Sequence, residues 1–366
     1  MFTSLKLFSD IPFPLRPLDA APPVLTTNPP VEDLIVADPD LKLPRTYQWN
    51  IAVEQSLGSS QSLSLTYVGA LGRDLLRQTA LNPAAGGNSN VVYVCPIDNT
   101  ATSDYNALQV KFQRRLSRGL QALASYRFSH SIDISSTDAI NYVTTPDAVS
   151  NPNIDRGDSD FDIRHSFTAG VTYDLPAPGS DKVVHAILGD WSLDSFVMAR
   201  SAPPVDIIGA QIFASGATFM PRPNVVPGVP LVLYGSQYPG GKGFNPAAFR
   251  APPTGEQGDL GRNVLRAFRA TQADVALQRQ FHLTEQVGLR FRAEFFNILN
   301  HPNFGSPTNT LTSPLFGQST QMLAGFLGLA APTAASTPST KSVALAPSSS
   351  PSNSNSERRA SFIEPA

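Results

Sequence analysis

Apolar and polar residues alternate strictly from Ser166 to Leu175: Phe167, Ala169, Val171, Tyr173 and Leu175 on one side, Ser166, Thr168, Gly170, Thr172 and Asp174 on the other. Side chains of a strand point alternately to its two faces, so this period predicts a β-strand with one apolar and one polar face. The same pattern recurs along most of the chain. Tyr47, Trp49, Ile51 and Val53 stand against Gln48, Asn50 and Glu54, and after Gly58-Ser59-Ser60 come Leu63, Leu65 and Tyr67 against Ser62, Ser64 and Thr66. Two alternating runs separated by a short turn predict a hairpin. A second hairpin pairs Leu108, Val110 and Phe112 with Leu120, Ala122, Ala124, Tyr126 and Phe128 across Ser117-Arg118-Gly119. A sixth strand starts at Trp191, beyond a mixed connection from Pro176 to Asp190, and reaches Arg200. The last pair is Val275, Leu277 and Phe281, then Val287, Leu289, Phe291, Ala293 and Phe295, with Thr284-Glu285 as the tight turn.

The expectation is therefore an all-β, antiparallel sheet of about eight strands. Several runs reach the ~9 to 11 residues that a tilted strand needs to cross a bilayer. Tyr67, Tyr126, Phe128, Tyr173 and Trp191 sit toward strand ends, the place of an interfacial aromatic girdle. Lys111, Arg127, Arg164, Arg290, Arg292 and Glu294 fall on the polar side and become candidate lumen-facing residues if the apolar side meets lipid. The bland reading of those charges is that lumen positions must be polar; the functional one is a lining that touches a plug or a solute. Residues 201 to 270 are long and rich in Pro and Gly, which suits an outer-membrane β-barrel with short turns on one side and long loops on the other.

The sequence divides into an irregular segment at 1–45, a barrel fragment at 46–304, and a loop with a Ser/Pro-rich disordered tail at 305–366. With 33 prolines, 25 glycines and only 15% charged residues among 366, the composition favours strands with irregular loops over helices. A net charge of −2 and a pI near 6.2 give no electrostatic reason to expect nucleic-acid binding. The lone cysteine, Cys95, excludes an internal disulfide and a cysteine-based metal site. No stretch approaches the roughly 20 apolar residues of a membrane-spanning helix. The N-terminus lacks the apolar run of about 7 to 15 residues of a secretory signal, so no signal peptide is expected in the chain as written.

The segments PRTYQWNIAVEQSLG, LSLTYVGALGRDL, DYNALQVKFQRRLSRGLQALASYRFSHSID, RGDSDFDIRHSFTAGVTYDLP, FNPAAFRAPPTGEQGDLGRNVLR and LRFRAEFFNILNHPNFGSP resemble the C-terminal half of the Oar-like barrels of TonB-dependent transporters, from about Leu43 to Gly328. The resemblance implies an outer-membrane location and a pore wall for energy-coupled solute passage. It also implies, as partners in an intact parent, outer-membrane lipid, a plug domain and a TonB-type energy transducer; the plug is expected to lie outside this chain, which alone should not transport. Such barrels close with a strand of the form GGPRSIQLALKLQF. With wobble bases chosen among the synonymous codons, Ala335 to Ser356 regrouped one base earlier can read GFNPLYQIGGPRSIQLALKLQF, and the Glu357 codon then completes a stop. The tail from about Leu329 is thus expected to be an out-of-frame translation of that strand. The alternatives are a structural or adhesive surface protein without transport, or a non-functional truncated gene product.

Chemistry-bearing patterns are few. Asp155, Asp158, Asp160 and Asp162 in DRGDSDFD offer oxygen ligands at nearly alternate positions, but the loop glycine and distal Glu of a calcium loop are missing, and a solvated turn is the preferred reading. Arg156-Gly157-Asp158 spells an adhesion tripeptide of a length that occurs by chance. Asp162, His165 and Ser166 contain the residue types of a hydrolytic triad, yet cannot converge from one strand. His130, His185, His282 and His301 lack ligand spacing. Asn297, Asn300 and Asn303 with Pro302 and Gly305 read as a turn after the last strand. No enzyme activity and no cofactor are expected.

Overall fold

The computed structural model describes residues 2–3, 31–79, 81, 90–136, 151–176, 189–209, 211–212, 218–219, 221–253, 256–282 and 287–323. The Ser/Pro-rich tail, the turn at Thr284-Glu285, His185 and the side chain of His282 lie outside these residues. Nine strands of seven residues or more are described: β1 (Val31–Ala37), β2 (Arg45–Leu57), β3 (Gln61–Gln78), β4 (Val91–Ser117), β5 (Leu120–Asp133), β6 (His165–Asp174), β7 (Trp191–Arg200), β8 (Ala270–His282) and β9 (Gly288–Phe295). Among the described residues no helix is long and apolar enough to cross a membrane, whereas several strands exceed the ~9 to 11 residues that a tilted crossing strand needs.

From β2 to β9 each strand pairs antiparallel with the next, giving an eight-strand meander in which sequence neighbours are spatial neighbours. These eight strands lie where the alternation predicts them. Among the described residues β2 pairs only with β3, and β9 only with β8. The turn at Arg118-Gly119 has positive φ at both residues (52° and 75°) with Ser117 opposite Leu120. That is the two-residue geometry whose twist matches flanking strands.

The meander has two unlike ends. Residues 58–60, 118–119, 283–287 and the longer 175–190 connect strands at one end; 79–90, 134–164 and 201–269 connect them at the other. β4 is 27 residues long and runs beyond the wall at the long-connection end. There β1 lies parallel to it, Val31 opposite Val91 and Ala37 opposite Ile97. The segment expected to be irregular thus contributes a strand. Register shifts between Gly72 and Arg77 mark the level at which β3 leaves the regular ladder.

Register puts Tyr67, Leu108 and Phe128 in one cross-strand row, and Tyr126 and Phe167 in the next, on one face. This face is exposed: Ile51 is 68%, Val53 62% and Phe128 47% accessible. Trp49 faces Gly69 across β2 and β3, and a Cβ at Gly69 would come within 2.3 Å of the indole, so the missing side chain is what seats the ring.

Among the described residues a conventional core lies in the long connections and the segment after β9. Residues 201–269 are long, as expected, but they fold into short paired segments around Val205, Ile207, Phe244, Ala248, Phe249, Leu260 and Leu265. Phe316, from the segment after β9, completes this cap core, its ring edge-on to Phe249 at 5.7 Å between centroids. Ile207 is 1% exposed, and Ile207→Ala should cost the cap about 2–5 kcal/mol. Limited proteolysis of the detergent-solubilised protein should then cut within 201–269 while the strands stay intact.

Candidate functional site

The long-connection end carries the densest polar structure. Pro221 and Pro223 are fully buried and fix the backbone on both sides of Arg222. Its guanidinium donates to Asp155 Oδ1 (2.8 Å) and to the carbonyls of Ile154 (3.0 Å) and Leu260 (3.0 Å). Asp155 also accepts from Arg77 of β3 at 2.5 Å, so one carboxylate ties the cap to the wall. Arg262 donates to Asp133 Oδ1 at 2.6 Å and to the carbonyls of Asp133 and Asp155. Gly157 lies so close to the Arg262 backbone that a Cβ would meet its carbonyl oxygen at 2.5 Å. Asp162 accepts from the Ser131 N–H (2.8 Å), Arg164 (2.8 Å) and Arg266 (2.9 Å). Asp158 accepts from Arg164 and Arg266 and contacts His130 Nε2 at 2.8 Å.

Three of the four aspartates are therefore not part of a solvated turn, while Asp160 stays exposed. Asp155, Asp158 and Asp162 face guanidinium groups, Asp162 is 1% exposed, and Asp160 is held by the Asn263 amide at 2.7 Å. The adhesion-like tripeptide is engaged within the chain too: Arg156 pairs with Asp104, and Asp158 with Arg266. Asp162, His165 and Ser166 do not converge, His165 Nδ1 meeting the Tyr126 hydroxyl at 2.8 Å instead.

Charge balance sets the electrostatics of this lattice. Burial would raise the Asp158 carboxyl, but the His130 hydrogen bond and the Arg266 and Arg164 charges outweigh it and hold it below its ordinary value. Burial would likewise lower Arg262, but Asp133 and Asp160 raise it. Asp206 is the exception: desolvation, opposed by Arg222 and the Asn263 N–H, pushes it up to about 6.

The candidate lumen residues share a face. Lys111, Arg127, Arg290, Arg292 and Glu294 all occupy register positions opposite to those of Tyr67, Tyr126, Phe128, Tyr173 and Trp191. Arg292 donates to Glu294 (2.6 Å) and Asp194 (2.6 Å), and Asp194 accepts from the Thr172 hydroxyl, forming a chain across β6, β7 and β9. Arg290 donates to Gln280. Arg164 joins the lattice rather than the open wall. The five aromatics form two levels, Tyr67, Tyr126 and Phe128 toward the long connections and Tyr173 and Trp191 toward the short turns. Arg279 lies over the rings of Trp191 (5.4 Å) and Phe281 (4.4 Å) at the short-turn level. The asparagines after β9 do form a turn, and Asn303 also acts as a strand surrogate. Its side-chain amide accepts from the Thr271 N–H (2.9 Å) and donates to the Thr271 carbonyl (3.0 Å).

A model of the outer membrane beta barrel domain matches residues 3–325. The chain belongs to this family. Its sheet is thus an outer-membrane β-barrel domain, with apolar and polar faces as such a domain requires. Similar solved structures include the outer membrane transporter YddB from Escherichia coli (13% identity, TM-score 0.44, 76% of this chain and 31% of that one). Others are the FrpB iron transporter from Neisseria meningitidis (14%, 0.40, 78% and 31%) and the pyoverdine outer membrane receptor FpvA from Pseudomonas aeruginosa (10%, 0.39, 76% and 29%). The chain spans about a third of the length of these proteins. No curated protein matches it.

Arg77, Arg222, Arg262, Arg266, Asp133 and Asp194 escape sequence reasoning because their partners lie far away in sequence; the one available signal is Arg262 and Arg266 in GRNVLR. Removing one partner of a buried pair leaves the other uncompensated, so Arg262→Ala should cost about 3–5 kcal/mol of cap docking. A double-mutant cycle with Asp133→Ala, read by protease protection of 201–269, should return strong coupling. For Asp206 the sign runs opposite to that of Asp158. Its folded value of about 6 exceeds the ordinary 3.8, so its contribution is full below about pH 4 and is lost as pH rises through about 6. Asp206→Asn should flatten the pH dependence of cap protection in that window.

Proposed function

We propose that the chain forms the C-terminal part of the pore wall of an Oar-like, TonB-dependent outer-membrane transporter, with the wall over 46–304. In the intact parent this wall surrounds a plug domain and serves energy-coupled solute passage driven by a TonB-type transducer. The observation that carries this reading is the polar face. In a closed eight-stranded barrel inward side chains fill the interior. Here Arg127, Arg290, Arg292 and Glu294 stand exposed on that face, and the strands at either side of the meander, β2 and β9, are not paired with each other among the described residues. Both features suit one arc of a wide polar lumen of the kind a plug domain can occupy.

The aromatic levels support the same orientation. His165, level with Phe128, and Tyr173 are eight residues apart, about 26 Å along a strand and about 20 Å along the membrane normal at a tilt near 40°. That is close to the height of the apolar band of an outer-membrane barrel. The Arg–Asp lattice then lies at one mouth, outside the hydrocarbon, where it holds the cap beside the lumen. An adhesive surface role has less in its favour, since the side chains of the Arg156-Gly157-Asp158 tripeptide are engaged within the chain.

Deletion of the coding region in the source bacterium, followed by untargeted measurement of solute depletion from the medium, tests the reading. The expected result is loss of uptake of at least one solute, an uptake that a protonophore also abolishes in the wild type. Unchanged uptake together with reduced surface adhesion contradicts transport and supports the adhesive alternative.

A further inference from the structure

Cations of the cap lattice are matched by carboxylates, and Arg292 of the wall is matched by Asp194 and Glu294. A different arrangement lies between these levels on the same polar face. Register sets three rows across β5, β6 and β7: Arg127, Ser166 and Arg200; then Ser125, Thr168 and Met198; then Leu123, Gly170 and Phe196. Arg200 is half-buried, and its Nε is buried with no hydrogen-bond partner among the described residues. A buried guanidinium donor left unsatisfied is costly, so such a group marks a place where an acceptor belongs. Arg127 stands two strands away, about 10 Å between backbones, within reach of the same point above Ser166. Lys111 faces Ser125 from β4 and adds a third cation.

The third row differs in kind. Leu123 and Phe196 are 46% and 47% exposed although they lie on the polar face, and Gly170 between them leaves a recess in which a Cβ would meet nothing within 4 Å. Two guanidinium groups and hydroxyls thus stand about 13 Å along the strands from an exposed apolar pair flanking a gap. We infer that this patch binds a small amphipathic organic anion. Its carboxylate or phosphate oxygens are held by Arg200, Arg127 and the Ser166 hydroxyl, with Lys111 at the rim. Its apolar body lies over Gly170 between Leu123 and Phe196. A guanidinium fork presents paired donors to an oxyanion, and the exposed phenyl ring supplies area that a purely polar solute would leave wet. The inference rests on the transport reading only in taking the polar face as the lumen; the site binds whether or not the chain transports.

The full chain, refolded in detergent micelles, is titrated with 1-naphthoate, with naphthyl phosphate, with the neutral 1-naphthamide and with inorganic phosphate, following probe fluorescence or calorimetry. The naphthyl carboxylate or phosphate, or both, should bind saturably, and the amide and inorganic phosphate at least about 10-fold more weakly. Which naphthyl anion binds tighter distinguishes a carboxylate from a phosphate ligand. Arg200→Gln should weaken binding about 10-fold or more, Arg200→Lys should restore part of it, and Gly170→Phe should abolish it by filling the recess. Far-ultraviolet circular dichroism checks that each variant keeps its strands, and Arg127→Gln provides a second loss should Arg200→Gln fail to fold. Equal binding of 1-naphthoate and 1-naphthamide, or unchanged binding in both arginine variants, overturns the inference. A negative result leaves solute depletion in the deletion strain unaffected, so the two readings fail separately.

Discussion

Backbone hydrogen bonding sets the rest of this structure. Where a membrane excludes water, each N–H and C=O of a spanning strand needs a partner on a neighbouring strand. Among the described residues the meander from β2 to β9 supplies those partners in sequence order except along the outer edges of β2 and β9, which keeps the spanning strands antiparallel. Once that ladder is fixed, side chains can only alternate. One face takes Ile51, Val53, Phe167 and Phe291, the other takes Lys111, Arg127 and Arg292. The two-faced character of the chain is therefore a consequence of pairing rather than of a packed core, and the wall has little core of its own.

The energy of tertiary contact is concentrated at one end. The cap buries Ile207, Phe244, Ala248 and Phe249 as a soluble protein would, and fastens itself to the wall through Arg77, Arg222, Arg262 and Arg266. Arg222, Arg262 and Arg266 also donate to backbone carbonyls, which offsets part of the desolvation cost that an isolated buried pair would carry. The lattice is matched; the Arg127 and Arg200 row has no carboxylate partner among the described residues. Below that row Arg292 is neutralised again by Asp194 and Glu294.

The eight strands were legible because each carries one apolar face over enough residues to show the period. Val31–Ala37 was not, since VEDLIVA has no clean alternation and its partner, Val91–Ile97, is parallel and remote in sequence. The first half of β4 was equally silent: Cys95 and Ala101 are buried there beyond the regular wall, so polar and apolar positions no longer mark two faces. The charged wall residues were legible as a face, because register follows from the same period. The lattice was not, because Asp133 and Arg262, or Asp162 and Arg266, are more than a hundred residues apart and nothing local announces that they meet. Arg200 stood at a strand end in the sequence, and only the register of β6 and β7 sets it beside Ser166 and Arg127.

The central claim is that the apolar face meets lipid and the polar face meets water. Spin labels placed singly from Ser166 to Tyr173, in protein reconstituted into phospholipid vesicles, read this directly through their accessibility to oxygen and to a water-soluble nickel chelate. The account predicts a period of two, with oxygen accessibility high at Phe167, Ala169, Val171 and Tyr173 and nickel accessibility high at Ser166, Thr168, Gly170 and Thr172. A flat profile, or the opposite phase, would contradict it.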